Sequence, residues 1–262
     1  MEPFKLKEHV FLSDQKENLV LGITARHGGI SQYPNHSLNM AHYIDDTTEN
    51  VIKNQEVVAD LINFDRLNWV FPIQTHENKI VEVHKSDKGT NIDCLTDKWH
   101  GIDGLYTYEK DVLLTMCYAD CVPVYIHSKK DDFVALGHAG WRGTVGLILK
   151  KLIEAYKGDV KDLHVTIGPS VTSKNYLIDD FIKNQFDALN MNLESYFVRS
   201  KDLYEINLQG INAKIAQLAG VPEAQILITS RCTTDQNEHF FSYRLEKGKT
   251  GRMLAFIGMR DF

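Results

Sequence analysis

Residues 112–156 read VLLTMCYADCVPVYIHSKKDDFVALGHAGWRGTVGLILKKLIEAY. Three apolar runs, Val112–Tyr118, Val122–His127 and Phe133–Leu136, stand a few residues apart, each with the length and the β-branched and aromatic content of a strand. From about Gly143 to Tyr156 the period changes. Val145, Ile148, Leu149, Leu152, Ile153 and Tyr156 fall on one face of a helix, and Gly158 is placed to end it. Strands joined by short turns pair antiparallel, because parallel neighbours need a crossover of a dozen residues or more.

Outward from this segment, Leu19–Thr24, Leu67–Ile73, Lys79–His84, Leu163–Gly168, Gln225–Thr229, Phe240–Tyr243 and Leu254–Gly258 read as strands, with a Gly28–Gly29 turn after the first. Glu49–Phe64, Asp180–Leu189 and Asp202–Ala219 read as helices; an Asp202/Glu205 capping pair opens the last and Gly220 closes it. No repeat, low-complexity tract or Pro/Ser-rich linker interrupts residues 1–262, so one domain is expected. Strands outnumber helices, which predicts a mixed α/β (α+β) fold with large, partly antiparallel sheets.

With 43% apolar and 24% charged residues the composition is that of a globular protein. No apolar run approaches the roughly 20 residues that span a bilayer, and MEPFKLKEHVFLS lacks the apolar core of an export signal. The net charge is −6 and the basic residues are scattered, which argues against nucleic-acid and membrane-surface partners. The expected location is the cytoplasm, the expected state a monomer or weak homo-oligomer. Four cysteines, Cys94, Cys117, Cys121 and Cys232, are too few for a disulfide scaffold, so a cysteine with a task binds metal or acts as nucleophile; the plainer role of small buried hydrophobe suits at least two of them.

Three segments concentrate unusual chemistry where strands meet turns: Gln74-Thr75-His76, Ala119-Asp120-Cys121-Val122-Pro123-Val124, and Gly137-His138-Ala139-Gly140-Trp141-Arg142-Gly143. His76, Cys121 and His138 offer two imidazoles and a thiolate, a partial zinc shell with a position left open for water or substrate, as catalytic zinc requires. Their spacing matches no Cys-x-x-Cys pattern, and among 11 histidines core or surface roles are the plain alternative. Gly140, Arg142 and Gly143 at the helix start suggest an anion site, against a glycine turn with Arg142 in a structural ion pair. Thr24-Ala25-Arg26-His27-Gly28-Gly29-Ile30-Ser31 is a second arginine-bearing turn. Asp103 would orient a ligand histidine or simply cap a turn. Phe240-Phe241-Ser242-Tyr243-Arg244 and Gly248-Lys249-Thr250-Gly251-Arg252 bring aromatics and arginines together; the phenylalanines favour core packing.

In order along the chain, TARHGGIS with SLNM, QTH, DGLYT, ADCVPV, GHAGWRG, IGPSV, and FFSYR with KTGR span residues 24–252 and resemble the laccase-domain, or polyphenol-oxidase-like, family of multi-substrate purine nucleoside phosphorylases. The resemblance implies stacked mixed sheets flanked by helices and a metal on His76, Cys121 and His138. It implies phosphorolysis of adenosine, inosine, guanosine and methylthioadenosine, and deamination of adenosine. Zn2+ fits better than copper, because the additional histidine-rich sites of a multicopper oxidase are not in the sequence. Arg26, Arg142, Asn39 and Arg244 become candidates for substrate or phosphate, and Asp103 and Asp120 for orienting a ligand or moving protons. Two readings compete. One is a cysteine hydrolase with Cys121 as nucleophile and His138 or His76 as base, for instance an editor of cell-wall peptide precursors. The other is a binding module with structural zinc, which would need a fourth protein ligand.

Overall fold

The computed structural model describes residues 2–13, 18–32 and 37–261. Within the segment 112–156, the strand Leu113–Tyr118 lies in one six-stranded sheet, while Val122–Ser128 and Val134–Ala139 pair antiparallel in a second. The bend at Ala119–Cys121 carries the chain from the first sheet to the other. The first sheet runs Phe4–Lys7, Val10–Ser13, Leu19–Thr24, Met253–Met259, Leu113–Tyr118, Trp69–Val70, antiparallel except for the last pair. The second runs Ile226–Ile228, Leu163–Ile167, Val122–Ser128, Val134–Ala139, Gly104–Thr107, Ile80–Glu82, parallel at both edges and antiparallel between. A small antiparallel sheet, Leu177–Ile178, Leu203–Ile206 and Phe197–Ser200, stands apart.

The two large sheets pack face to face through Leu21, Leu114, Met116 and Ile257 of one and Leu105, Tyr125, Val134 and Leu136 of the other. The helix Thr48–Ile62 covers the outer face of the first, burying Val58 and Ile62 against Trp69, Leu113 and Phe256. Ile148–Glu154 and Leu208–Leu218 cover the second, burying Leu149, Leu152, Ile211 and Ile215 against Val124, Ile126 and Val165. With both faces of each sheet covered, central strands are apolar on both sides, which is why their sequences run continuously apolar instead of alternating. Stacked mixed sheets flanked by helices within one domain are therefore the observed architecture. Among the described residues no helix is long and apolar enough to cross a membrane.

Four local expectations are corrected. The helix expected from Gly143 to Tyr156 starts at Trp141, stops at Val145 and resumes at Ile148–Glu154. The Asn78 amide donates to the Gly146 carbonyl at 2.7 Å, and Leu147 turns into the left-handed region at φ 57°. The helix expected over Asp202–Ala219 is a strand, Leu203–Ile206, followed by the helix Leu208–Leu218. Its cap is Asn207, whose side chain accepts from the Gly210 amide, so the Asp202/Glu205 pair caps nothing. Phe240–Tyr243 joins no sheet: the Phe241 amide donates to the Met253 sulfur at 3.0 Å, and both phenylalanines are core residues. Gly28–Gly29 lies within the short strand His27–Ser31. Gly28 has φ 93°, and a Cβ there would meet the His9 ring at 2.2 Å. Gly28→Ala is expected to cost about 2 kcal/mol and lower the thermal midpoint by about 4–8 °C. An unchanged midpoint would mean that the His9 ring and the strand give way freely.

Candidate metal centre

Four neighbouring strands of the second sheet deliver the site at one end. Cys121 enters Val122–Ser128, and His138 lies opposite Pro123 in the adjacent strand, so antiparallel pairing makes them neighbours. Asp103 enters Gly104–Thr107, which pairs with His138's own strand, and the His138 amide donates to the Asp103 carbonyl at 2.8 Å. His76 stands in the turn before Ile80–Glu82, the edge strand beyond. Ligand atoms of His76, Cys121 and His138 lie within 4.8 Å of one another. Gly140 closes over them: a Cβ there would meet Cys121 Sγ at 2.9 Å.

Asp103 organises the cluster. Fully buried, it accepts from the backbone amides of Thr75, His76 and Glu77 at 3.1, 3.1 and 2.9 Å, and its Oδ1 lies 2.8 Å from His138 Nδ1. The three amides fix a turn in which His76 sits at φ 63°, strain that persists only where neighbours over-determine it. With Nδ1 of His138 held by a carboxylate, Nε2 is the nitrogen left for a ligand once its proton is released. Burial raises the Asp103 pKa, but the His138 hydrogen bond and the Glu77 and Thr75 amides outweigh it and hold the carboxyl below its usual range.

The thiol and imidazoles shift one another. Burial pushes the Cys121 thiol up, yet His138 and His76 outweigh it and bring it down to about 6. Burial pushes His138 down, and the Cys121 thiolate with Asp103 outweighs it, lifting the imidazole to about 9. Cys117, near the end of Leu113–Tyr118, has no imidazole partner: burial outweighs the opposing effects of Arg252 and Tyr43 and pushes its thiol up to about 12. Of the two cysteines here, only Cys121 is a thiolate at neutral pH.

The cluster forms one wall of a cavity of about 670 Å3, well within the size that takes a nucleoside-sized ligand. Arg142, Arg244, Lys247 and Arg252 also line it, with Tyr43, Trp141, Tyr176 and Tyr243. Arg142 stacks on Trp141 at 4.4 Å and Arg244 on Tyr176 at 4.8 Å. Arg252 lies 5.9 Å from the Tyr43 ring and 5.4 Å from that of Tyr243. A cleft lined by a thiolate, imidazoles, guanidinium groups and aromatic rings suits an anion together with a planar apolar group.

Of the residues expected at the site, His76, Cys121, His138, Asp120, Arg142 and Arg244 meet in this cavity, and Asp103 stands directly behind it. Arg26 and Asn39 do not line it. Arg26 pairs with Glu246 at 2.8 Å and donates to the Asn237 and Phe240 carbonyls. Asn39 is fully buried, and its Oδ1 accepts from the Ala41 and Arg252 amides. Asp120 has both carboxylate oxygens engaged, by the Thr233 hydroxyl at 2.6 Å and the Arg244 amide at 2.8 Å. The helix after Gly140 has only five residues before its break, so the anion reading there rests on the Arg142 side chain. Tyr43, Tyr176 and Lys247 were not foreseen, because a lone tyrosine or lysine carries no signal in its neighbours.

The fold and cluster define a class: an α/β protein of two stacked sheets with an open His-Cys-His centre at the end of one sheet. Residues 20–260 match the family model described as multi-copper polyphenol oxidoreductase laccase, and the chain belongs to that family. It is 52% identical over 260 residues to a purine nucleoside phosphorylase of Staphylococcus saprophyticus, covering 98% of this chain and 99% of that protein. A purine nucleoside phosphorylase of Staphylococcus aureus is 52% identical over 260 residues, with 98% of each covered. The crystal structure of YlmD from Geobacillus stearothermophilus matches over the whole of both chains, with a TM-score of 0.95 and 34% identity. That of Bacillus licheniformis hypothetical protein YfiH has a TM-score of 0.96 and 33% identity, covering 99% of this chain and all of the other.

Proposed function

We propose that this protein is a zinc-dependent purine nucleoside phosphorylase acting on adenosine, inosine, guanosine and methylthioadenosine, with a hydrolytic adenosine deaminase activity at the same centre. The observation that carries the reading is the convergence of His76, Cys121 and His138 on a nucleoside-sized cavity whose other walls are cationic and aromatic. The names of the relatives at 52% identity supply the reaction class. The donor set fits a metal: a ready thiolate, and an imidazole held by a carboxylate on its far nitrogen. It fits zinc better than a multicopper array, because among the described residues this is the one group of three such donors and it leaves coordination open. When bound, the ion supplies Lewis acidity for an incoming oxygen nucleophile, phosphate or water.

The chain's own residues do the rest. Guanidinium groups bind the phosphate and bring it against the ribose, where glycosidic cleavage develops positive charge on the sugar. Aromatic rings lining the same cavity hold the base. Asp103, 2.8 Å from His138 Nδ1, holds the orientation of that ring. All four cysteines are free, which suits a reducing compartment such as the cytoplasm. The test is metal content together with release of hypoxanthine from inosine, with and without phosphate. Zinc near one per chain and phosphate-dependent release are expected; metal-free protein without base release would sink the reading. Ammonia released from adenosine checks the deaminase.

One observation favours a second reading. Cys121, His138 and Asp103 stand in the order nucleophile, base and orienting carboxylate of a cysteine hydrolase. In chelated protein, alkylation of Cys121 by iodoacetamide is therefore expected to rise with pH about a midpoint near 6, since the thiolate is the reactive form and is lost as pH falls through that value. Restored zinc should suppress it. A midpoint near the ordinary thiol value would refute the pairing with His138, and hydrolysis of a peptide or ester substrate by metal-free protein would favour the hydrolase.

A further inference from the structure

The strand Trp69–Val70 pairs with Leu113 and Leu114 and ends there, so among the described residues the rest of Leu113–Tyr118 has no strand along that edge. At Cys117 a side chain takes the place of the missing strand. The Gln74 carboxamide donates from Nε2 to the Cys117 carbonyl at 3.0 Å, and its Oε1 accepts from the Cys117 amide, also at 3.0 Å. A primary amide carries a donor and an acceptor on neighbouring atoms, as a peptide does, so it closes both bonds of a strand residue at once. A carboxylate lacks the donor, and an apolar side chain lacks both. The other hydrogen bonds of residues 73–78, among the described residues, run to Trp99, Gly101, Asp103, Gly146 and Lys151, none of which lies in the first sheet. Asp103 thus holds the turn from the second sheet, and Gln74 ties it to the first.

We infer that Gln74 is a positioning residue of the metal centre: its carboxamide sets the turn that carries His76 against the bend that carries Cys121. His76 lies two residues beyond Gln74, and Cys121 four beyond Cys117, so the paired bonds close a short loop of chain with one ligand on each arm. The inference rests on the metal part of the proposed function and not on the nucleoside. Gln74 and Cys117 also line the cavity. Water can therefore take up the two Cys117 backbone groups when the carboxamide is removed, and the loss falls on the spacing of the ligands more than on folding.

Zinc affinity, measured by competition with a chromophoric chelator at a temperature where every variant is folded, tests this. Gln74→Ala is expected to weaken zinc about tenfold, the low end of what groups behind a ligand contribute. Gln74→Leu, which keeps bulk and drops the amide, should weaken it equally, and stands in if the alanine variant does not fold. In cobalt-loaded Gln74→Leu the thiolate charge-transfer band from Cys121 should persist while the ligand-field bands change, because the His76 side of the shell has moved. In a His76→Ala background, adding Gln74→Leu should weaken zinc by less than about twofold, since the residue acts through His76. Parent-like zinc affinity in Gln74→Leu, with only the metal-free thermal midpoint lowered, would overturn the positioning role and leave a hydrogen bond of the fold. An equal tenfold loss with and without His76 would overturn the route through that ligand. If the parent protein binds zinc without releasing base, and Gln74→Leu still weakens the metal, the phosphorylase reading falls and the positioning role stands. A parent protein that binds no zinc overturns both.

Discussion

Cys121→Ala is expected to lower phosphate-dependent base release from inosine by about a thousandfold or more, and His138→Ala to do nearly the same. The scale follows from what is removed: a metal ion contributes several kcal/mol to an activated complex, and each tenfold in rate is about 1.4 kcal/mol. The two variants should differ in how they fail. Cys121 is the anionic donor of the set, so alanine there leaves two imidazoles and zinc content should drop to a small fraction of one per chain. His138→Ala also leaves Asp103 buried with three amide donors but without its imidazole partner, so it should lose fold stability as well as metal. His76 is exposed and carries no such buried partner, so His76→Ala should lose metal and activity with less effect on the thermal midpoint. Measured metal content, turnover and unfolding of the three proteins check this together. Full activity in Cys121→Ala would mean that the chemistry lies elsewhere in the cleft.

How much of this was readable along the chain depends on how local the cause is. The core strands announced themselves because both faces of each sheet are covered, and Leu113–Tyr118 or Met253–Met259 can hold almost nothing but apolar residues. The closeness of Cys121 and His138 is also local: a hairpin whose strands start after one and end at the other must bring them opposite each other. His76 and Asp103 arrive from the parallel edge of the sheet, a pairing that nothing in their own segments encodes. The break at Leu147 is set by Asn78, far away in sequence, and the helical face of Ile148, Leu149 and Leu152 persists through it. Arg26 and Asn39 show the reverse. Neither lines the cavity: Arg26 pairs with Glu246, and Asn39 accepts the Arg252 amide. A motif records that a residue matters to a cleft; only the fold says whether it faces the ligand or the residue that does.

Asp103→Asn is the substitution for which the geometry predicts the largest effect without touching a ligand atom. The side chain keeps its size, but one oxygen becomes an NH2 group, and both orientations fail. If the NH2 replaces Oδ1, it confronts the His138 ring nitrogen and the His76 amide; if it replaces Oδ2, it confronts the Thr75 and Glu77 amides. The first frees the imidazole to turn or change tautomer, and the second loosens the strained turn that presents His76. A carboxylate behind a metal-binding histidine is worth about 10–100-fold in affinity, so zinc should bind that much more weakly, measured by competition with a chromophoric chelator. Buried donors facing a donor cost about 1–3 kcal/mol each, so the metal-free variant should unfold at a clearly lower temperature at neutral pH. The pH dependence follows from the sign of the shift. Because the folded carboxyl titrates below its ordinary value of about 4, its stabilisation is complete above that value and is lost as pH falls through the lowered one. The gap in stability between the metal-free parent and Asp103→Asn should therefore close in acid, and it should also narrow as pH rises through about 9, where the His138 imidazolium that Asp103 helps to hold is lost. Parent-like zinc affinity and an unchanged neutral-pH midpoint in the variant would show that the turn and the His138 ring are held by something other than this carboxylate.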